Sequence, residues 1–157
     1  MAGTIERNKA VVSAFVEAVN ARDWERMDDL VAPGFVRHSH AAPGARSGDD
    51  LKRFLRAEYQ TFPDAHETLE DLLAEGNRVA ARHRFRGTQR GPMGPYPPTR
   101  RRMEADYIAI YRVEEGLIVE AWAEWDNLYG LVQLGHYQPP ARSPIADHDT
   151  KTHQGPG

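Results

Sequence analysis

The sequence predicts an α+β fold, with helices in the first sixty-odd residues and a strongly bent antiparallel sheet after them. Three observations carry this. Up to Tyr59 the apolar residues recur at helical spacing. From Glu67 onward the period changes to two, the repeat of a half-buried strand. Between the alternating runs lie Glu75-Gly76-Asn77 and Glu114-Glu115-Gly116, turns with hairpin chemistry. Helices followed by a run of hairpin-linked strands is an α+β signature.

Taken in order, Thr4 opens a helix in which Val11, Val12, Phe15, Val16 and Val19 fall on one stripe. Asp23 is placed to cap a second, short helix whose apolar positions are Trp24, Met27, Leu30 and Val31, and Pro33-Gly34 ends it. Phe35 to Ser39 reads as a brief strand. Ser47-Gly48-Asp49-Asp50 fits the S-x-x-D capping pattern before a third helix carrying Leu51, Phe54, Leu55 and Tyr59, which Phe62-Pro63-Asp64 stops. Glu67 to Ala74, Arg78 to Gly87 and Arg101 to Val113 read as long strands, with Gly91 to Thr99 as a rigid Pro/Gly loop. Leu117 to Trp125 is the last strand. Asp126 or Asn127 then caps a short amphipathic helix that Gly135 stops. Residues 1–138 form one domain on this reading, and 139–157 a polar, Pro-rich tail.

A chain of 157 residues with 40% hydrophobic and 27% charged residues can bury a sizeable core. Its net charge of -3 and pI near 6.2 give no electrostatic reason to expect nucleic acid or an anionic membrane as partner. The absence of cysteine rules out disulfides, a thiolate metal site and a Cys nucleophile. No apolar run reaches transmembrane length and the amino end lacks a signal-type core, so a cytoplasmic protein is expected.

Strand parity sorts the alternating runs onto two faces. One carries Val79, Ala81, His83 and Phe85; Met103, Ala105, Tyr107, Ala109 and Tyr111; Leu117, Val119, Ala121, Ala123 and Trp125. The other carries Arg82, Arg84 and Arg86; Glu104, Asp106, Ile108, Ile110 and Arg112; Ile118, Glu120, Trp122 and Glu124. The first face must meet the helices, and its many alanines leave room for an internal pocket. Phe15, Tyr59, Phe85, Tyr107, Tyr111 and Trp125 are the substrate-contacting candidates there, unless large helix residues fill the space. On the second face, Ile108, Ile110, Ile118 and Trp122 together make an apolar patch suited to a homodimer or higher oligomer. Its arginines and carboxylates are expected to pair across strands.

The run E-x-W-x-x-x-D-x-x-x-G-x-x-Q-L-G (Glu120, Trp122, Asp126, Gly130, Gln133, Leu134, Gly135) resembles the closing signature of SnoaL-like polyketide cyclases. The loop residues Gly94, Pro97, Pro98 and Thr99, the Phe62-Pro63-Asp64 stop and the Glu115-Gly116 turn agree, over roughly Glu6 to Gly135. The resemblance implies a cone-shaped α+β barrel with an internal pocket. It also implies cofactor-free, intramolecular aldol closure of a polyketide ester, usually in an oligomer. The family's acid/base Asp and its partner His fall at Ala123 and Ala109 in this chain.

Candidate chemistry therefore shifts to other groups. His83 stands alone among apolar neighbours, where a neutral imidazole can move a proton or simply be a hydrogen-bonded core residue. Asp126 is either an acid/base group near the pocket mouth or the cap of the last helix. Tyr107 is a hydroxyl donor. His38 is expected at the pocket rim; with His40 it is a weak H-x-H metal signal, and neither metal nor cofactor is expected. The substrate expected is a small, polyketide-like or otherwise apolar, oxygen-bearing molecule. The alternatives are epoxide opening or isomerisation in the same cavity, or a non-catalytic binding protein.

Overall fold

The computed structural model describes residues 2–41 and 43–141. The expected tail lies largely outside the described residues. Nine elements follow in order: α1 (Ala2–Ala21), α2 (Trp24–Asp28), β1 (Val31–His38), α3 (Gly48–Thr61), β2 (His66–Glu75), β3 (Arg78–Thr88), β4 (Arg102–Glu114), β5 (Leu117–Trp125) and α4 (Asn127–Leu134). The strands form one sheet in the order β1-β5-β4-β3-β2, open at both edges rather than closed into a barrel. β2 to β5 pair antiparallel.

The helix boundaries follow from capping chemistry. Asp23 accepts from the Arg26 amide, Ser47 from the Asp50 amide and Asp126 from the Tyr129 amide. Gly135 closes α4 with φ 80°, and a Cβ there would stand 2.7 Å from the Arg101 guanidinium. Val12, Phe15, Val16 and Val19 of α1 and Leu51 and Leu55 of α3 are buried against Val79, Ala81, Phe85, Tyr107, Ala109, Tyr111, Ala121 and Ala123. Burial of each large side chain here contributes about 1.5–3 kcal/mol before entropy is counted.

Three expectations need correction. The sheet is mixed, because β1 runs parallel to β5. Leu30 lies beyond α2, and Val31 opens β1, which continues through Pro33-Gly34 instead of starting after them. The pairing slips between Val31 and Val36, so Pro33 falls in an unpaired bulge of an edge strand, where its missing N–H costs no ladder bond. A second slip matches Arg112 to Glu120 but Val113 to Ile118. The bulge around Val119 reverses parity at the start of β5, and Ile118 turns inward to 1% exposure instead of joining the outer patch.

The Pro/Gly loop is bolted down beside α3. The Arg90 and Gly91 amides both donate to the Thr61 carbonyl, and Thr61 Oγ1 donates to the Pro92 carbonyl. Gly91 passes so close that a Cβ would lie 2.3 Å from the Gln60 carbonyl oxygen. Buried Gln89 donates to the Pro97 carbonyl and accepts from Thr99, and its Oε1 also hydrogen-bonds the His136 ring. These bonds set the rim of the cleft described next.

Candidate active site

Three neighbouring strands place His83, Tyr107 and Trp125 side by side in register. Their rings form a column: His83 on Tyr107 at 4.3 Å, and Tyr107 on Trp125 at 3.9 Å. Between this column, α1, α3 and β1 lies a narrow chamber with about 30 Å3 of free space, enough for one or two water-sized groups. Its apolar walls include Phe15, Val19, Phe35, Leu51, Ala109, Ala121 and Ala123. A wider cleft of about 400 Å3 lies alongside, under Phe62, Phe85, Pro92, Met93 and Met103. Phe54, Glu58 and Trp125 line both spaces and form the throat between them.

The chamber is not wholly apolar. Leu51, Phe54, Leu55 and Glu58 follow the spacing of one helical face, so α3 carries a carboxyl on its apolar stripe. Burial, then the Glu67 charge, pushes Glu58 up to about 8, against the opposing effect of Arg37. Glu58 keeps some accessible surface and lines both the chamber and the cleft. Arg37 reaches the same chamber from β1, with its guanidinium 5.0 Å from the centre of the Phe54 ring. Its buried Nε has no hydrogen-bond partner, and no carboxylate pairs with it among the described residues.

Glu67, on β2, supplies the second carboxyl. It accepts a 2.7 Å hydrogen bond from Tyr107 Oη, and His83 Nδ1 lies 3.3 Å from the same oxygen. Burial first, and then the Glu67 charge, holds the Tyr107 hydroxyl well above its usual range, so it stays a proton donor. Tyr111 shares a 3.0 Å hydrogen bond with His83 Nε2 and is also held protonated by burial.

Of the residues singled out from the sequence, Phe15, Tyr107, Tyr111 and Trp125 line the chamber, and Phe85 lines the cleft. His83 is fully enclosed behind the two tyrosines. Asp126 caps α4 and borders an outer groove that also includes Trp125 and Met103, rather than the chamber. Tyr59 lies outside both spaces; its hydroxyl donates to the Val19 carbonyl. His38 is on the opposite face of β1, stacked on Trp122 and 2.8 Å from Glu120, and the H-x-H pair gathers no third ligand among the described residues. Arg37, one residue earlier, points the other way. Sequence reasoning missed Glu58, Glu67 and Arg37. Glu58 was findable as the one charge on the stripe of the third helix, and Glu67 as the register partner of Phe85.

The SnoaL-like polyketide cyclase model matches residues 9–134. The chain belongs to this family. Among solved structures this SnoaL-like chain is similar to TsrD from Streptomyces laurentii, with 30% identity, a TM-score of 0.76 and coverage of 84% of this chain and 97% of that one. IdmH from Streptomyces antibioticus, a proposed polyketide cyclase, shares 32% identity at TM-score 0.74, covering 82% and 98%. AclR from Streptomyces galilaeus, a proposed hydroxylase, shares 25% at TM-score 0.74, covering 85% and 99%. No curated protein matched. Ala109 and Ala123, onto which the resemblance maps the family's acid/base pair, face each other across β4 and β5 and both line the chamber. Its carboxyls come instead from α3 and β2.

Proposed function

We propose that this SnoaL-like protein closes a ring in a polyketide-like ester without a cofactor, using Glu67 as base, Glu58 as acid and Arg37 as the holder of negative charge. One observation carries the reading: two carboxyl groups in unlike environments and an unpaired guanidinium share the chamber where the family's own pair has become alanine. A carboxyl that burial keeps protonated can serve as the acid while a second carboxyl nearby serves as the base.

In the proposed reaction the Glu67 carboxylate takes a proton from a carbon flanked by carbonyls. The electron pair passes to a carbonyl oxygen, and Arg37 stabilises the resulting enolate. The nucleophilic carbon forms the new C–C bond at a second carbonyl of the same molecule, whose oxygen becomes an alkoxide. Glu58 donates its proton to that oxygen, and exchange through solvent restores both glutamates. Holding both ends of one chain in the cleft and chamber removes much of the entropic barrier. Tyr107 acts by orienting Glu67; His83 acts by fixing Tyr107 and Tyr111, and Asp126 by starting α4.

Glu67→Gln and Glu58→Gln, assayed with an aromatic polyketide methyl ester, are each expected to lower turnover by roughly 10²–10⁴-fold with folding retained. Undiminished turnover in both would contradict the assignment. A second reading, addition of water to an epoxide, is favoured by the chamber's room for about one or two waters beside the same carboxyls. Ring closure and epoxide opening are separated by their products. A homodimer through the outer sheet face and a cytoplasmic site of action belong to the same proposal.

A further inference from the structure

Residues that line the chamber carry buried nitrogens with no hydrogen-bond partner. Among the described residues three buried side-chain nitrogens lack a partner: Arg37 Nε, Trp125 Nε1 and His83 Nδ1. Two of the three belong to residues lining this one chamber. Buried N–H groups in folded proteins are nearly always paired, so two unmatched donors on lining residues suit a ligand that supplies acceptors. Glu58, in its protonated form, adds a third donor at the throat. On the acceptor side, Glu67 already takes the Tyr107 hydroxyl, and Tyr111 is engaged with His83.

Size narrows the ligand further. Free space of about 30 Å3 admits a group of two or three heavy atoms, whereas the adjoining cleft of about 400 Å3 accommodates a ring system against Phe62, Phe85, Met93 and Met103. We infer that the ligand is an amphipathic acid: a carboxylate enters the chamber against Arg37 and Trp125, and its apolar body stays in the cleft. A guanidinium suits a carboxylate because its N–H groups form a planar fork. This rests on reading the chamber as the reacting site, and it changes the substrate class from a neutral apolar molecule to one that arrives carrying charge.

Two probes test this by calorimetric titration at pH 7: 2-naphthoate and methyl 2-naphthoate. The acid is expected to bind about ten- to a hundredfold more tightly than the neutral ester, the advantage of a charged hydrogen bond. Arg37→Gln should abolish the preference and Arg37→Lys restore part of it, with thermal unfolding confirming that both variants fold. Equal or tighter binding of the ester, no binding of 2-naphthoate at millimolar concentration, or an unchanged preference in Arg37→Gln would overturn the inference. These readings need no turnover, so they can fail while the Glu58 and Glu67 assignments stand, and the reverse.

Discussion

Glu58 occupies the face of α3 where a carboxylate is most costly, between Leu55 and Phe62 on the core side. Its raised pKa has a consequence for stability. Below the ordinary carboxyl range both folded and unfolded chains hold the proton, and the site costs nothing. As pH rises from 4.5 toward 8 the unfolded chain releases a proton that the folded one keeps, so stability falls; above 8 the cost is complete. At roughly 1.4 kcal/mol per pH unit the ceiling is about 5 kcal/mol, less whatever water entry relieves. Glu58→Gln should therefore be progressively more stable than the parent between pH 5 and 8 in urea titrations, and a parallel pH dependence would count against the assignment. His83 is the opposite case. Enclosed and bonded to Tyr111, it is expected to cost about 1–3 kcal/mol on His83→Phe, measured as a lowered denaturation midpoint, because Tyr111 loses its partner in the core. His83 drew attention in the sequence for its isolation among apolar residues, the same isolation that encloses it. The charges that border the chamber were harder to see, since Arg37 and His38 differ by one residue and only the register of β1 tells which faces inward.

At the scale of elements, periodicity and caps were legible because they are local. Asp23, Ser47 and Asp126 each start a helix, and Gly135 ends one, where the residue type demands it. Asp126→Asn should leave stability nearly unchanged and Asp126→Ala cost about 1 kcal/mol by thermal unfolding, since Asn still offers an oxygen to the Tyr129 amide. Loss of activity in the Asn variant at full stability would instead give Asp126 an acid/base role. What the sequence hid were the bulges. One extra residue near Val119 exchanges inner and outer faces, and the slip in β1 converts a Pro-Gly helix stop into part of an edge strand. Neither slip has a local signature, because each is set by the strand alongside. The parallel β1–β5 pairing likewise depends on where the chain returns after α2.

For the whole molecule, the outer sheet face carries charge in ordered pairs: Arg82 with Asp71 and Asp106, Arg84 with Asp106, Arg86 with Glu104, and Arg112 with Glu120. Glu124 is exposed and pairs with no cation among the described residues, unlike the partner role expected for it. Ile108 and Ile110 remain 57% and 38% exposed amid these pairs, while Trp122 is covered by His38 and Arg78. The patch is smaller than the sequence suggested, by the loss of Ile118 to the core. A symmetric dimer across it predicts that Ile108→Glu halves the mass seen by light scattering without changing the unfolding midpoint; a parent protein already monomeric at micromolar concentration would refute the dimer. The central claim, that Glu58 keeps its proton at neutral pH in the chamber it shares with Glu67, is most directly tested by a carbon-13 NMR titration of the glutamate side-chain carboxyls, with Glu58→Gln used for assignment. One resonance should titrate near pH 8 and be missing from the variant. If every glutamate instead titrates in the ordinary carboxyl range, near pH 4.5, Glu58 carries no proton at neutral pH and the acid/base assignment falls.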